Sequence, residues 1–342
     1  MSTLDLAGTA AALVAGGKGL LTMDESTPTC NEYFSALGIP QTEELRRAYR
    51  EWFVSTPSLG ALISGVILYD ETIRQRTSDG TPFVDAMTAA GLIAGIKVDT
   101  GAKDLAGHPG EKVTEGLDGL RERLAEYSRM GARFAKWRAV FVIGDGMPSR
   151  GCIEANAMAL ARYAGLCQEA DLVPIVETEV LMAGDHSLQQ CREVTEAVLR
   201  AVFHHLDEQR VTIEGMLLRP NLVLPGSACL DRASVEEVAD ATVTCLLRAV
   251  PAALPAIAFL SGGQAGALAS ARLDAMNVRS GSRLPWLLTF SFARALQQPA
   301  LNVWRGQQVH VAAAQRVLAH RAMCDRAACL GLYTAALEGD SA

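Results

Sequence analysis

Eight short apolar segments recur along the 342-residue chain, and longer amphipathic segments separate them. Each apolar segment is rich in Val, Ile, Leu and Phe, which is typical of strands buried on both faces of a parallel sheet. The segments between them carry apolar residues at helical spacing, which predicts helices between the strands. The predicted strands span residues 19–26, 63–71, 93–100, 133–143, 172–180, 214–223, 256–263 and 286–294.

This alternation of strands and helices limits the fold to two α/β architectures. An open, doubly wound sheet would place a glycine-rich phosphate loop directly after the first strand. Here GGKG at residues 16–19 precedes that strand, and SGGQAG at 261–266 follows the seventh strand without GxGxxG spacing. Eight strand–helix units in roughly 300 residues match a (β/α)8 barrel. We therefore predict a (β/α)8 TIM barrel that forms a single domain over residues 1–342.

Composition argues against several classes of partner and location. The formal net charge of −7 argues against nucleic-acid binding, which needs clustered Lys and Arg. No apolar run reaches the roughly 18 residues that a transmembrane helix needs, so we expect no membrane span. The first residues do not resemble a signal peptide, and the cysteines show no CxxC pairing, so we expect a cytoplasmic protein with reduced thiols. Residues 107–116 are predicted to form a loop insertion, and residues 332–342 a mobile tail.

Ionisable and small polar residues lie where the predicted strands end. In a barrel, the carboxyl ends of the strands meet at one face, where catalytic groups gather. One carboxylate at such a position would most simply form a structural ion pair, but charged groups at so many strand ends indicate a functional site. These residues are Asp24, Asp70, Lys97, Lys136, Arg138, Glu177, Glu179, Arg219, Ser261, Gly262, Gly263, Ser291 and Arg294.

The spacing of these residues indicates how they could act together. Lys136 and Arg138 are two positions apart on one predicted strand, so their side chains share a face, and Glu177 and Glu179 repeat this on the next strand. A cation pair beside a carboxylate pair suits proton transfer at a carbonyl substrate. The backbone N–H groups of residues 261–263, with the last strand nearby, predict an anion site at the usual phosphate position of this fold.

Ten motifs along the chain together resemble one enzyme family. They are GKGLLTMDEST, GVILYDETIRQ, GIKVD, TEGLDGLRERL, FAKWR, VPIVETE, GDH, EGMLLRPN, FLSGGQ and LTFSFARALQ. The chain closely resembles class I fructose-1,6-bisphosphate aldolases from about Leu4 to Leu337. The resemblance implies metal-independent and cofactor-free aldol cleavage of a phosphorylated ketose, as in glycolysis, and by analogy a homo-oligomer, commonly a tetramer. A zinc site as in class II aldolases is not expected, because the histidines are scattered and none ends a predicted strand.

The resemblance also implies a role for each strand-end residue. Glu177 corresponds to an acid/base, Asp24 to a site carboxylate, and Glu179 to the residue that orients the imine lysine. Lys136 corresponds to a lysine beside the reacting carbons. The expected ligands of the substrate and its phosphates are Lys97, Arg138, Ser261, Gly262, Ser291 and Arg294, with Gly263 in the predicted backbone anion site.

One position departs from the family in a way that changes the chemistry. The Schiff-base lysine at the end of the sixth strand corresponds to Arg219 in EGMLLRPN. A guanidinium, with a pKa above about 12, stays protonated and does not condense with a ketone to a productive iminium. Smaller departures are Thr178 in place of Pro, Ala293 in place of Gly, and Glu32 with Tyr33 in place of a basic pair.

Three functions are compatible with Arg219. In the first, which we rank highest, the chain is an aldolase whose imine has moved to Lys136. Lys97 and Arg219 would lower the pKa of the Lys136 amine, and Glu177 would transfer protons during the reaction. In the second, the chain is a catalytically inactive aldolase paralogue that binds sugar phosphates or a protein partner. In the third, Arg219 and Lys97 stabilise an enediolate in an imine-free, isomerase-type enolisation with Glu177 as the base.

Overall fold

A computed structural model describes residues 3–280 and 283–340, and eight of its strands form a closed parallel barrel. The strands are β1 (Gly19–Thr22), β2 (Ile63–Leu68), β3 (Ile93–Lys97), β4 (Gly101–Asp104), β5 (Lys112–Glu115), β6 (Phe134–Phe141), β7 (Val173–Val180), β8 (Leu217–Pro220), β9 (Ala256–Phe259) and β10 (Leu287–Phe292). The ring runs β1-β10-β9-β8-β7-β6-β3-β2, and β1 closes it by pairing with both β2 and β10. The predicted single-domain TIM barrel is confirmed, and each of the eight predicted apolar segments contains one barrel strand.

Helices surround the barrel, as the amphipathic segments predict. They are α1 (Thr3–Ala12), α2 (Thr27–Ala36), α3 (Glu43–Val54), α4 (Asp70–Arg74), α5 (Phe83–Ala89), α6 (Leu120–Arg129), α7 (Arg150–Glu169), α8 (Leu188–Glu208), α9 (Val235–Ala249), α10 (Gly266–Ser280), α11 (Arg294–Trp304) and α12 (Val311–Cys329). Ser187 and Ser234 precede the long helices α8 and α9 as N-caps, each in a capping box that satisfies free N–H groups of the first turn. No helix in the described part of the chain is long and apolar enough to cross a membrane.

The barrel interior is apolar at its amino-terminal end. Inward-facing strand residues, among them Leu20, Phe134, Ile175 and Leu217, form one buried cluster with residues of α1. Alternate residues of the same strands point outward and join the larger core beneath the helices. Gly95 is required here because a Cβ at its position would lie 2.2 Å from the Phe134 ring. This packed layer supports the charged layer above it.

Two predicted loop regions contain more structure than the sequence indicated. Residues 107–116, which were predicted to form a loop insertion, belong to an antiparallel hairpin in which β4 pairs with β5. The prediction of a loop was wrong for residues 112–115, because they form β5. In the tail, the Tyr333 hydroxyl donates to Glu338 at 2.8 Å and lies 3.2 Å from the Ala267 carbonyl, and Glu338 also pairs with Arg321. Residues 341–342 of the predicted mobile tail lie outside the described residues.

Candidate active site

A cavity of about 330 Å³ opens at the carboxyl ends of the barrel strands. About half of the residues that line it are ionisable, and all the predicted site residues except Asp70 and Ser291 are among them. Asp70, another strand-end residue, instead pairs with Arg74 on α4 and accepts a hydrogen bond from Tyr127. The predicted residues at the cavity wall are Asp24, Lys97, Lys136, Arg138, Glu177, Glu179, Arg219, Ser261, Gly262, Gly263 and Arg294.

The Lys136 amine lies between two carboxylates at the floor of this cavity. Its Nζ is 2.7 Å from Asp24 Oδ2 and 3.1 Å from Glu177 Oε2, and the side chain is buried. Burial alone would lower the pKa of Lys136, but Asp24 and Glu177 together raise it above its ordinary value. Arg219 lowers this pKa, as expected from the sequence, but Asp24 and Glu177 outweigh it, so the net pKa of Lys136 is raised.

Arg219 is held by the barrel and does not project freely into the cavity. Its Nε donates to Ser291 Oγ at 2.9 Å, and its Nη2 donates to the Ser291 carbonyl at 2.6 Å and to Thr22 Oγ1 at 3.3 Å. Its Nη1 pairs with Glu177, the residue in register with it on β7. The guanidinium thus joins three strands, and its side chain is only 5% exposed.

This arrangement determines the ionisation of Glu177 and the role of Ser291. Burial alone would raise the pKa of Glu177, but Arg219, then Lys136 and Arg138, lower it to about 2. Ser291 was predicted to bind phosphate, but it is fully buried and its hydroxyl and carbonyl accept hydrogen bonds from Arg219. Both oxygens are used within the wall of this structure, and phosphate binding by Ser291 stays a prediction.

The remaining cavity cations differ in how they are paired. Arg138 Nε and Nη2 each lie 2.6 Å from Glu179 Oε2, which makes a close pair on adjacent strands. Lys97 Nζ lies 3.5 Å from Asp99 Oδ1. Arg294, at the start of α11, is exposed and has no ion-pair partner among the described residues. It is therefore the cation most available to an anionic ligand.

The turn after β9 lies beside Arg294 and contains two glycines with positive φ. Gly262 and Gly263 have φ values of 57° and 83°, which residues with a Cβ rarely adopt. A Cβ at Gly263 would lie 3.5 Å from Arg294 Nη2, so glycine also leaves room for that guanidinium. Successive N–H groups in such a turn can bind an anion together with the nearby cation.

Several wall residues were missed by sequence reasoning. Asp99 lies two positions after Lys97, so the same period of two that paired Lys136 with Arg138 could have found it. Glu25 lines the cavity but follows Asp24 directly, where the strand has already ended. Outside the cavity, His320, Cys324 and Glu338 place one ligand atom each within 4.8 Å of one another, although Glu338 is already paired with Arg321. The expectation of no metal stays a prediction.

Comparison with known proteins gives a consistent result. The family described as fructose-bisphosphate aldolase class-I matches residues 5–342. A probable fructose-bisphosphate aldolase class 1 of Xanthomonas campestris is 56% identical over 334 residues, which cover 97% of this chain and 99% of that protein. A cytosolic fructose-bisphosphate aldolase of Arabidopsis thaliana is 48% identical over 338 residues, covering 99% of this chain and 94% of the relative.

A solved structure agrees with these relatives. The fructose-bisphosphate aldolase of Plasmodium falciparum, in a complex with TRAP and a small-molecule inhibitor, superposes with a TM-score of 0.95 at 45% identity. The match covers 97% of this chain and 95% of that one. Sequence, fold and the cavity at the strand ends therefore lead to one conclusion. The chain belongs to the class I fructose-bisphosphate aldolase family.

Proposed function

We propose that this protein catalyses reversible aldol cleavage of a phosphorylated ketose and that Lys136 is the amine that forms the imine. The observation that carries the proposal is the buried Lys136 Nζ, which lies 2.7 Å from Asp24 and 3.1 Å from Glu177 in a cavity that the exposed Arg294 also lines. Arg219 occupies the strand position of the family's imine lysine but cannot act as the nucleophile. The relatives named above are described as aldolases, and none of them favours an inactive paralogue.

The first chemical step requires Lys136 to lose a proton. Asp24 and Glu177 hold the pKa of Lys136 above its ordinary value, so the resting side chain is an ammonium near neutral pH. Asp24, the nearer carboxylate, accepts the ammonium proton, and the neutral nitrogen then attacks the ketone carbon to form a carbinolamine. Asp24 returns the proton as the hydroxyl leaves as water, which produces the iminium. Turnover is expected to be slow at neutral pH and to rise with pH.

Cleavage then uses the iminium as an electron sink. The C3–C4 bond breaks, its electrons form the enamine, and a carboxylate takes the proton of the C4 hydroxyl. Glu177 stabilises the positive iminium because Arg219 keeps its carboxylate ionised. The same low pKa, about 2, makes Glu177 a weak base, which argues against the isomerase-type alternative in which Glu177 removes a carbon-bound proton.

The proposal extends to location and assembly. A cytoplasmic location is supported by the cytosolic plant relative and by the lack of a membrane-spanning helix in the described chain. A homo-oligomer, with a tetramer as the expectation, rests on analogy with the family alone. We assign no cofactor or metal to the reaction.

Borohydride reduction in the presence of dihydroxyacetone phosphate tests the proposal directly. The expected result is a stable adduct that peptide mapping places on Lys136, together with cleavage of a ketose phosphate. A reaction without ketone is the control and should leave no adduct. An adduct on Lys97, or no adduct and no cleavage at any pH up to about 9, would refute Lys136 as the imine lysine; the second result would identify an inactive paralogue.

A further inference from the structure

Three side chains that can ligate a metal meet between α12 and the tail that follows it, away from the active-site cavity. His320 and Cys324 are four residues apart on α12, so their side chains lie on one face of the helix. Glu338 reaches them from a 3-10 helix at Ala335–Asp340. One ligand atom of each residue lies within 4.8 Å of the other two, and none of the three residues lines the cavity.

The spacing of the two helix side chains matches tetrahedral zinc coordination. Zn–S and Zn–N bonds of about 2.3 and 2.0 Å at a tetrahedral angle place sulfur and nitrogen about 3.5 Å apart. Cys324 Sγ lies 3.7 Å from His320 Nε2, so an ion can bridge these atoms with little movement of either side chain. Thiolate, imidazole and carboxylate are all zinc ligands, and a water can complete the coordination.

The present contacts of Glu338 are compatible with a bound ion. Its carboxylate accepts hydrogen bonds from Arg321 Nη1 and from the Tyr333 hydroxyl. A ligating carboxylate needs one lone pair for the metal, and its other lone pairs are normally hydrogen-bonded, which fixes its orientation. Arg321 and Tyr333 therefore hold Glu338 beside α12 in the way that partners of a metal ligand do.

Arg321 also has a second carboxylate partner that can compensate its charge. Asp325 Oδ1 lies 3.2 Å from Arg321 Nη2. Arg321 Nε and Asp325 Oδ2 are buried and have no hydrogen-bond partner among the described residues, so this pair has unused capacity. A zinc ion with the Cys324 thiolate and the Glu338 carboxylate is neutral overall, which leaves Arg321 balanced by Asp325.

The Cys324 thiol must lose its proton when a metal binds. Burial raises the pKa of Cys324 to about 11; Arg321 lowers this pKa, and Glu338 and Asp325 raise it. Near neutral pH the group is a thiol, so zinc must displace the proton. A hydrogen bond from this thiol to His320 Nε2 is the alternative explanation of their contact, and it predicts no zinc binding that depends on these residues.

We propose that His320, Cys324 and Glu338 bind one Zn²⁺ ion, which fastens the tail to α12. The Glu338 side chain is 28% exposed, so an ion can reach the cluster from solvent. The ion is structural and takes no part in the reaction proposed above. Zinc binding and aldol cleavage can therefore fail independently of each other.

Zinc titration of the full chain, after a chelator has removed bound metal, tests the site. Competition with a chromophoric chelator measures the affinity, and Co²⁺ in place of Zn²⁺ reports the thiolate through a charge-transfer band in the near ultraviolet. We expect one ion per chain with a dissociation constant of about 10 µM or tighter near pH 8, and weaker binding at pH 6 because the proton of Cys324 competes. Weaker binding at pH 8, or no charge-transfer band, would overturn the proposal.

Matched variants identify the ligands. Cys324→Ser, His320→Gln and Glu338→Gln should each weaken zinc binding by about tenfold or more. Cys329→Ser on the same helix and His204→Gln on α8 change the same residue types elsewhere and should bind zinc as the wild type does. Circular dichroism checks that each variant is folded. A ligand variant with wild-type affinity, or equal losses in the control variants, would contradict the three-ligand site.

Hydrogen exchange tests whether the ion fastens the tail. Zinc should slow amide exchange in peptides that cover residues 335–340 by about tenfold in the wild type, and it should have no such effect in Cys324→Ser. Zinc binding without this protection would show that the ion does not hold the tail.

Discussion

Neighbouring barrel strands carry an apolar inward residue and, two positions later, a charged one. The pairs are Phe134 and Lys136 on β6, Ile175 and Glu177 on β7, and Leu217 and Arg219 on β8. The lower residues pack together with α1, while the upper ones form ion pairs around a cavity. Two residues along a strand therefore separate a lower layer, whose apolar packing stabilises the fold, from an upper layer, whose buried charges are costly unless they are paired. The following predictions compare the two layers.

The largest effect is expected in the upper layer, on catalysis. Lys136→Met should lower the rate of ketose phosphate cleavage by about a thousandfold or more and abolish the borohydride adduct, because no neutral amine remains at the cavity floor. Steady-state rates, reductive trapping and circular dichroism are the measurements. Lys103→Met, at an exposed position on β4, is the control and should behave as the wild type. Full activity of Lys136→Met would exclude this lysine from the chemistry.

In the lower layer the largest effect is expected on stability. Phe134 is completely buried and fills the space between α1 and the strands, so Phe134→Ala should reduce the free energy of unfolding by about 3–5 kcal/mol. Urea unfolding measures this change, and the cleavage rate per folded molecule should stay near that of the wild type. Phe134→Leu should cost less. If Phe134→Ala instead lowered the rate and left stability unchanged, the division into two layers would be wrong.

Arg219 belongs to the upper layer but also supports the barrel, so its replacement should affect both properties. Arg219→Lys loses the fork that contacts Ser291 and Thr22, which should reduce the free energy of unfolding by on the order of 1–3 kcal/mol. It also adds a second amine, so borohydride should label position 219 in competition with Lys136. Chemical unfolding and peptide mapping follow the two effects. If cleavage and labelling occur only in the variant, Arg219 alone disables the wild-type chain.

The smallest effect concerns a buried acid beside the upper layer. Burial, opposed by Arg50 and reinforced by Asp24, raises the pKa of Glu25 to about 7. A raised pKa in the folded state means that stability is full below about pH 4.5 and declines as the pH rises through 7. Glu25→Gln should remove a decline on the order of 2–3 kcal/mol between pH 5 and 8, measured by thermal and urea unfolding.

Two other carboxylates serve as controls for the predicted pH dependence of Glu25. Asp325, whose pKa burial also raises to about 7, leaves a residual decline of the same sign in the variant. Glu32→Gln, at an exposed position, should keep the decline of the wild type. Identical pH profiles for the wild type and Glu25→Gln would show that Glu25 is ionised in the folded protein. Below about pH 4.5 the opposite sign is expected, since the lowered pKa of Glu177 makes its contribution disappear as the pH falls toward 2.

Local sequence patterns predicted the strands more accurately than the connections. Each barrel strand is a run of apolar residues, and this signal does not depend on contacts with distant residues. The β4–β5 hairpin was missed because its strands are mostly polar and partly exposed, so the apolar periodicity is weak there. The cavity residues Lys136 and Glu177 were found because charges at the ends of buried strands are conspicuous.

The sequence by itself determined the barrel and the face on which the site lies, because both follow from the order of apolar segments and from the residue types that end them. Only the tertiary structure decided which charges pair. Asp24 comes from β1 and Lys136 from β6, yet their side chains lie 2.7 Å apart, and Arg219 reaches across to Ser291 on β10. Those distances follow from closure of the barrel and set the direction of each pKa shift, since electrostatic energy depends on separation and burial rather than on position along the chain.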